Sequence, residues 1–184
     1  IIALSFVEFL AYRNSDIVIG TSPKLIDHVK EIAPYQKNVY TIPQGINTNE
    51  RHPEINSKYI RKYIPTQKFI IGHIGSIGLA NALDVFFRSA LLLKERKNIV
   101  FLLIGKGDLL NYYKSKYEAY SNIIFAPVIE KKFVNSVIKK IDLLYFSTFP
   151  SKRWAFGQSL NKLIDYMYAG RPILGSYSGY PSMI

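Results

Sequence analysis

The chain has 184 residues, of which 48% are apolar and none is cysteine, and its formal net charge is +11. This apolar content is typical of a globular protein with a hydrophobic core and excludes a disordered or fibrous chain, while the lack of cysteine excludes disulfides and thiolate metal sites. The basic residues are scattered as pairs along the sequence, which favours anionic partners of any kind: nucleic acid, phosphorylated substrates or an anionic membrane face.

The opening segment IIALSFVEFLAY is the most apolar part of the chain. It is shorter than the about 18 residues of a membrane span and carries Glu8 in its middle, so no span is expected. It has neither a basic leader nor a small-residue cleavage site, so no signal peptide is expected. Because no methionine opens the sequence, we expect a fragment of a longer protein.

Short β-rich apolar runs alternate with helix-period segments through most of the chain. This alternation predicts an α/β fold with a parallel sheet built from βα units. Strands are predicted at residues 16–21, 38–42, 69–75, 99–105, 122–128, 142–148 and 172–177. Helices are predicted at residues 22–32, 84–96, 109–120, 130–140 and 160–169.

Residues 43–67 interrupt this series, since they are polar and contain three prolines. We expect a linker with one short helix there, which separates a leading segment, residues 1–67, from a Rossmann-like open parallel sheet with flanking helices over residues 68–184. Ligands of such a sheet bind at the carboxyl ends of the strands. The loops expected there are rich in glycine, which lets backbone N–H groups approach phosphate oxygens.

The segment FGQSLNKLIDYMYAGRPIL, residues 156–174, predicts a helix that can hold an anion at its start. Ser159 is placed to cap this helix, and Gly170 followed by Pro172 ends it. The helical spacing predicts an apolar stripe of Leu160, Leu163, Ile164 and Met167.

Opposite that stripe, the same spacing places Asn161, Lys162 and Asp165 together. A cation and an amide near the positive end of a helix suit a diphosphate. The Asp165 carboxylate, about one turn further along, would reach sugar hydroxyls beyond the phosphates.

Several common motifs are absent: GxGxxG, GxxxxGK[ST], GxSxG, HExxH and a DxD pair. These absences argue against four assignments: a dinucleotide oxidoreductase, a P-loop NTPase, a common hydrolase and a metal-bridged diphosphate site of the DxD kind. His28, His52 and His73 lie far apart in the sequence and are interpreted as structural or surface residues. No metal or cofactor is predicted.

Seven segments follow one another in the chain: DIVIGTSPKLIDHV, VYTIPQGIN, IIGHIGSIGLANALDVFFRSALLL, IVFLLIGKGD, NIIFAPVIEKKFV, IDLLYFST and FGQSLNKLIDYMYAGRPIL. In this order they resemble the GT-B-fold family 4 glycosyltransferases, glycosyl transferases group 1, that build capsule and O-antigen polysaccharides. The resemblance implies two Rossmann-like domains, with a nucleotide-diphospho-sugar bound mainly by the second. It also implies metal-independent sugar transfer with retention at the anomeric carbon.

The resemblance divides the chain at the same place. Residues 1–67 match the tail of the N-terminal acceptor domain, and residues 68–184 match the C-terminal donor-binding domain, incomplete at its end. The acceptor-side catalytic residues are missing, so this fragment alone is expected to be inactive. The whole enzyme is expected to be a hexosyl or N-acetylhexosaminyl transferase that uses a UDP-sugar.

Site residues follow from the resemblance by position. Asp165 matches the acidic residue that hydrogen-bonds the nucleotide ribose. The other matched positions are Gly75 and Ser76 in the glycine-rich turn beside the diphosphate, Gly105 and Gly107 in a neighbouring turn, Pro127 and Val128 in the loop whose backbone reads the base, and Ser159, Asn161 and Lys162 at the helix start that faces the phosphates.

Three positions depart from the common family pattern. Gly157 stands where many members have a glutamate that contacts the donor sugar. Ser76 and Asn81, both predicted to bind the donor, stand where the glycine-rich turn commonly has arginine and lysine. Phosphate charge must then come from Lys162, or from Lys152 and Arg153. No catalytic residue is assigned beyond Lys162, which would stabilise the departing diphosphate.

The acceptor implied by the resemblance is a polysaccharide or a lipid-linked sugar. A cytoplasmic protein is expected, with its basic residues in peripheral contact with anionic lipid at the inner face of the membrane, and no nucleic acid is expected as a partner. Two alternatives stay open: a basic α/β module that binds nucleic acid, based on the charge of +11 and the aromatic content of 14%, and a nucleotide-sugar epimerase on a similar fold.

Overall fold

The computed structural model describes residues 2–22, 24–151 and 161–177. Its chain forms two compact units: residues 1–45, 150–161 and 177–184 belong to the first, and residues 46–149 and 162–176 to the second. Residues 46–67 therefore cluster with the sheet that follows them. The division into domains at residues 67 and 68 concerns the whole protein and stays a prediction.

The described residues of the first unit form two helices and two strands: α1 (Ile2–Asn14), β1 (Val18–Gly20), α2 (Leu25–Ile32) and β2 (Val39–Thr41). The strands pair in parallel. Glu8 of α1 joins the helices, because its carboxylate accepts a hydrogen bond from Tyr12 at 2.9 Å and lies 2.8 Å from Nε2 of His28.

Helix α1 is an element that the sequence pattern did not predict. Apolar residues occupy nearly every position of this segment, so no polar face marks a helical period, and Leu4, Phe6 and Val7 are all exposed. In the ranges that the structure describes, no helix is long and apolar enough to cross a membrane.

The second unit carries the parallel sheet and its flanking helices. Its elements are α3 (Ser57–Tyr63), β3 (Phe69–Ile74), a short 3-10 helix (Leu79–Asn81), α4 (Asp84–Leu92), β4 (Ile99–Ile104), α5 (Leu110–Tyr117), β5 (Ile123–Ala126), α6 (Lys131–Ile138), β6 (Leu143–Ser147), α7 (Asn161–Tyr168) and β7 (Ile173–Ser176). The strand order is β5-β4-β3-β6-β7, and all neighbours are parallel. The predicted α/β class and all seven predicted strands are confirmed.

Aromatic side chains fill the core between the sheet and helices α4 and α5. Phe87 stacks on Tyr113 and on Tyr117, with ring centroids 4.5 Å apart in both pairs, and Phe86 packs edge-on against Phe101 of β4. Burial of one such ring contributes about 1.5–3 kcal/mol. The core therefore holds firmly the two central strands whose carboxyl ends carry the glycine-rich turns.

The seam between β3 and β6 is short. β3 pairs with β4 along all six of its residues, but with β6 only at Ile71 and Gly72. Beyond these two residues, side chains add to the backbone contacts. Asp142 N donates to Ile70 O at 3.1 Å while the Asp142 carboxylate accepts from Ile70 N at 2.8 Å, and the Tyr166 hydroxyl accepts from Ile74 N at 2.9 Å. Strand order reverses at this seam, which is where open α/β sheets hold their ligands.

Candidate functional site

Two glycine turns interlock at the carboxyl ends of β3 and β4. Gly75 N donates to Ile104 O at 2.9 Å, and a Cβ on Gly105 would lie only 1.8 Å from Gly75 O. Gly107 continues the contact, because its φ is +155° and a Cβ there would lie 2.3 Å from Ile77 O. Glycine is required at both positions for the two backbones to run side by side.

A cavity of about 190 Å³ opens beside these turns, and it brings together four of the predicted site residues. They are Gly75, Ser76, Gly105 and Val128. Lys106 is the one charged residue among the nine described residues that line it, and the remaining lining residues are Ile74, Ile104, Ile129 and Val134. The lining thus combines apolar side chains with exposed backbone of the turns, as ligand pockets commonly do.

Lys162 reaches from α7 to the first glycine turn. Its Nζ donates to Oδ1 of Asn81 at 2.5 Å, and its Cε and Nζ lie 3.3 Å from the point where Gly75 would carry a Cβ. Burial lowers the pKa of Lys162 to about 8. Its partner Asn81 is neutral, so the ammonium ion is held by an amide dipole in a partly desolvated place where an anion would be strongly attracted.

The position of Asn81 is set by the end of β6. Ser147 Oγ donates to Asn81 O, and Phe149 N donates to Ala80 O at 2.9 Å. Ala82 then takes a left-handed backbone conformation, with φ +43°. These two hydrogen bonds and the left-handed conformation of Ala82 therefore hold the turn that presents Asn81 to Lys162.

Asp165, the predicted ribose ligand, is paired with a residue that the sequence did not indicate. Its Oδ2 accepts a hydrogen bond from Lys131 Nζ, across 34 residues of sequence. The Asp165 side chain is 18% exposed and that of Lys131 is 70% exposed, so the pair lies at the surface. Asn161, at the first position of α7, is exposed. Ser159, Gly157 and the Lys152–Arg153 pair lie outside the described residues.

The predicted apolar stripe of α7 is wrong. Met167 is 56% exposed, whereas Tyr166 is fully buried, and Leu163 and Ile164 are half-buried. The inward face instead carries Lys162 and Tyr166, which are neighbours on a helix at i and i+4. Both side chains bury an apolar body and end in a polar group that finds a partner inside, so hydrophobicity alone misassigned the face. Leu160 lies outside the described residues.

Tyr166 and His73 are site residues that the sequence analysis missed. The Tyr166 hydroxyl also donates to Ile74 O at 3.2 Å, and burial raises its pKa, so it keeps its proton. His73 is fully buried, with Nδ1 3.2 Å from Tyr145 O and Nε2 3.3 Å from Ser76 O. Burial first, and then the charge of Lys162, lower the pKa of His73 to about 3, so the ring is neutral at neutral pH.

The loop after β5 contains the two residues predicted to read a base. Pro127 O accepts a hydrogen bond from the Tyr59 hydroxyl of α3 at 2.8 Å, and Val128 is exposed and lines the cavity. Tyr59 lies in the segment interpreted as a linker, 68 residues before its partner, and no local pattern predicts a contact over that separation. The short helix α3 thus braces the loop at the cavity mouth.

Residues 68–184 match the family model described as glycosyl transferases group 1. The chain belongs to this family. The matched range contains every described residue of the site except Tyr59, and no curated protein sequence matches the chain.

Solved structures share the fold of this glycosyltransferase family member. The Anabaena protein HepE in complex with UDP and glucose is 14% identical, with a TM-score of 0.71 over 97% of this chain and 49% of that one. The pneumococcal O-GlcNAc transferase GtfA in complex with UDP and GlcNAc is 16% identical, with a TM-score of 0.66 over 97% and 34%. WaaG, a glycosyltransferase involved in lipopolysaccharide biosynthesis, is 18% identical, with a TM-score of 0.60 over 89% and 49%.

These likenesses show the fold. The described sheet and helices have the architecture of the GT-B glycosyltransferases, as the resemblance implied. The chain spans about half the length of HepE and of WaaG, and about a third of GtfA.

Proposed function

We propose that this chain binds the nucleotide-diphospho-sugar donor of a glycosyltransferase, with UDP as the nucleotide. The observation that carries the proposal is the partly buried Lys162 ammonium group beside the Gly75 turn, at the carboxyl end of β3. The choice of UDP, and of a hexose or N-acetylhexosamine, is supported by the ligands in the HepE and GtfA structures.

The diphosphate lies between Lys162 and the glycine turns. Lys162 supplies the positive charge, and Gly75 and Ser76 let the backbone approach the phosphate oxygens closely. Asn81 holds the lysine in place through its amide oxygen. A cation already desolvated and oriented binds an anion with little further loss of side-chain entropy, which favours affinity.

The nucleoside lies toward the cavity. Asp165 accepts hydrogen bonds from the ribose hydroxyls, and Lys131 offsets the charge of that carboxylate, so it does not repel the nearby phosphates. The base lies along the loop of Pro127 and Val128, with Gly105 and Gly107 beneath it. Tyr59 keeps this loop in position through the Pro127 carbonyl.

Sugar transfer proceeds with retention and without a metal ion. An acceptor hydroxyl attacks the anomeric carbon as the bond from that carbon to the diphosphate breaks, and Lys162 stabilises the negative charge that develops on the departing diphosphate. The acceptor is a capsule, O-antigen or lipid-linked saccharide. The acceptor domain is required for turnover, so this part of the enzyme binds donor but is inactive alone.

Isothermal titration with UDP-glucose, UDP-GlcNAc and GDP-mannose tests the donor site. Loss of a charge-assisted contact weakens binding by about 10- to 100-fold, which we expect for Lys162→Ala. Lys132→Ala is the matched control, because its ammonium group pairs with Glu130 at 2.7 Å at the surface, and it should bind like the wild type. Absence of binding by all three donors, or an equal loss in both variants, would contradict the proposal.

Product analysis of the full-length enzyme tests the reaction. Incubation with UDP-GlcNAc and a lipid-linked acceptor should give UDP and a longer acceptor, with the anomeric configuration retained and with no loss of rate in a chelator. An epimerised nucleotide sugar formed without acceptor would instead identify the enzyme as an epimerase.

A further inference from the structure

His73 lies between two backbone carbonyl oxygens. Its Nδ1 faces Tyr145 O of β6, and its Nε2 faces Ser76 O of the first glycine turn. A neutral imidazole carries one N–H, so it can donate to one of these carbonyls only, while the other contact sets a ring lone pair against an oxygen. A doubly protonated ring would donate to both.

Burial is the first cause that opposes this second proton, and in the part of the chain that the structure describes one charged side chain adds to it. Lys162 of α7 is the cation that acts on His73, and the fully buried Tyr166 of the same helix keeps its proton and binds the Ile74 backbone. The carboxylate of α7, Asp165, is paired with Lys131. On β6 the neighbour is Tyr145, and on β4 it is the apolar Leu103. Without an anion in the site, the surroundings of His73 are positive.

We propose that His73 takes up one proton when a diphosphate binds beside Lys162, and that the resulting imidazolium ties the Ser76 turn to β6. The inference rests on the donor site proposed above. Burial and the charge of Lys162 together keep the free ring neutral. A bound diphosphate offsets the charge of Lys162, and its own negative charge favours the imidazolium, so both effects oppose the cost of burial. The proton passes from solvent to the ring nitrogen that carries none, and that N–H then donates to the carbonyl already 3.2 or 3.3 Å away.

His73 is therefore a positioning residue. It is buried behind the turn and acts on the donor through the Ser76 carbonyl and through its charge. Because binding takes up one proton, donor affinity falls by about tenfold for each unit of rising pH between the pKa of the free ring and that of the bound ring. Lys162 titrates separately at about 8, so measurements at about pH 6 isolate the histidine.

Titration calorimetry at about pH 6, in two buffers that differ in ionisation enthalpy, measures this proton directly. UDP-glucose is the probe, because both phosphates of its diphosphate are esterified and do not titrate near this pH. The wild type should take up close to one proton per donor bound. Lys162→Arg, which keeps a cation that does not titrate, should still take up the proton. His73→Gln should bind without uptake and about tenfold more weakly at about pH 6.

Ring nitrogen NMR of the wild-type chain avoids reliance on a variant. The sequence has three histidines, so nitrogen-labelled histidine gives one pair of ring signals for each of three rings. Saturating UDP-glucose at about pH 6 should convert the buried ring to the imidazolium pattern. Binding with no proton uptake and a ring that stays neutral would overturn this inference and leave the donor site intact. Absence of binding by any nucleotide diphosphate would overturn the donor site, and this inference with it.

Discussion

Lys162 shows how far a single residue could be interpreted before its surroundings were known. Its place near a helix start pointed to an anion, and the structure adds that the ammonium group is buried, with a pKa lowered to about 8 and a neutral amide as partner. A lysine held in this way loses its charge within the range of ordinary assays. The same contact that suits it to phosphate also makes it sensitive to pH.

The affinity of the wild type for UDP-glucose should therefore fall above about pH 8. The free site holds the ammonium form below the lowered pKa and the neutral amine above it, so each further pH unit weakens binding by about tenfold until affinity reaches that of Lys162→Ala. Calorimetry at about pH 7 and about pH 9.5 checks this. Lys162→Arg is the control, and its affinity should stay level across that range; parallel profiles for the two proteins would contradict the argument.

At the scale of elements, helix α7 is docked on the sheet by one hydroxyl. The Tyr166 hydroxyl bonds both the N–H and the carbonyl of Ile74, where β6 no longer pairs with β3. Removing it leaves buried backbone groups without their partner, which costs about 1–3 kcal/mol each. α7 thus depends on a buried polar contact between Tyr166 and β3.

Tyr166→Phe should lower the free energy of unfolding by about 1–3 kcal/mol, because the buried N–H of Ile74 loses its acceptor. Tyr168→Phe is the matched control on the same helix. Its hydroxyl donates to Thr48 O at the longer distance of 3.4 Å, so its loss should cost less than about 0.5 kcal/mol. Urea unfolding followed by circular dichroism measures both, and equal losses would show that the Ile74 contact has no special weight.

The interlocked glycine turns leave no room for a side chain at Gly105. Gly105→Ala should destabilise the protein by about 2–4 kcal/mol, since the new Cβ meets the Gly75 carbonyl and backbone cannot give way as a flexible side chain can. Gly78→Ala is its control, because no atom lies within 4 Å of a Cβ there. Thermal unfolding of the two variants compares them, and a tolerated alanine at position 105 would mean that the turns separate easily.

The strands of the fold can be predicted from the sequence, whereas several contacts of the candidate site cannot. The strands were predictable because each is a short run of β-branched and aromatic residues between turns, and local patterns carry that information. The α7 face was not, because Lys162 and Tyr166 are buried by partners on the glycine turn and on β3. The Lys131–Asp165 and Tyr59–Pro127 contacts join segments far apart in sequence, and no local pattern encodes them.

For the molecule as a whole, the charge of +11 is the property to test. Scattered lysine and arginine near an anionic surface contribute about 1 kcal/mol each, and salt screens the attraction. The chain should co-sediment with phosphatidylglycerol vesicles at about 0.1 M salt and be released at about 0.5 M. Phosphatidylcholine vesicles are the control, and equal binding to both kinds would rule out recognition of anionic lipid.

The short seam between β3 and β6 has a consequence for amide hydrogen exchange. Asp142 accepts from the amide of Ile70 at one end of β3, and Tyr166 accepts from the amide of Ile74 at the other. Each of these amides donates to a side chain rather than to a carbonyl of a neighbouring strand, so loss of that side-chain contact exposes it to exchange. The Ile74 amide would report undocking of α7 before the sheet opens, and the Ile70 amide would report the state of Asp142. Two isoleucine signals would thus separate local opening at the donor edge from global unfolding.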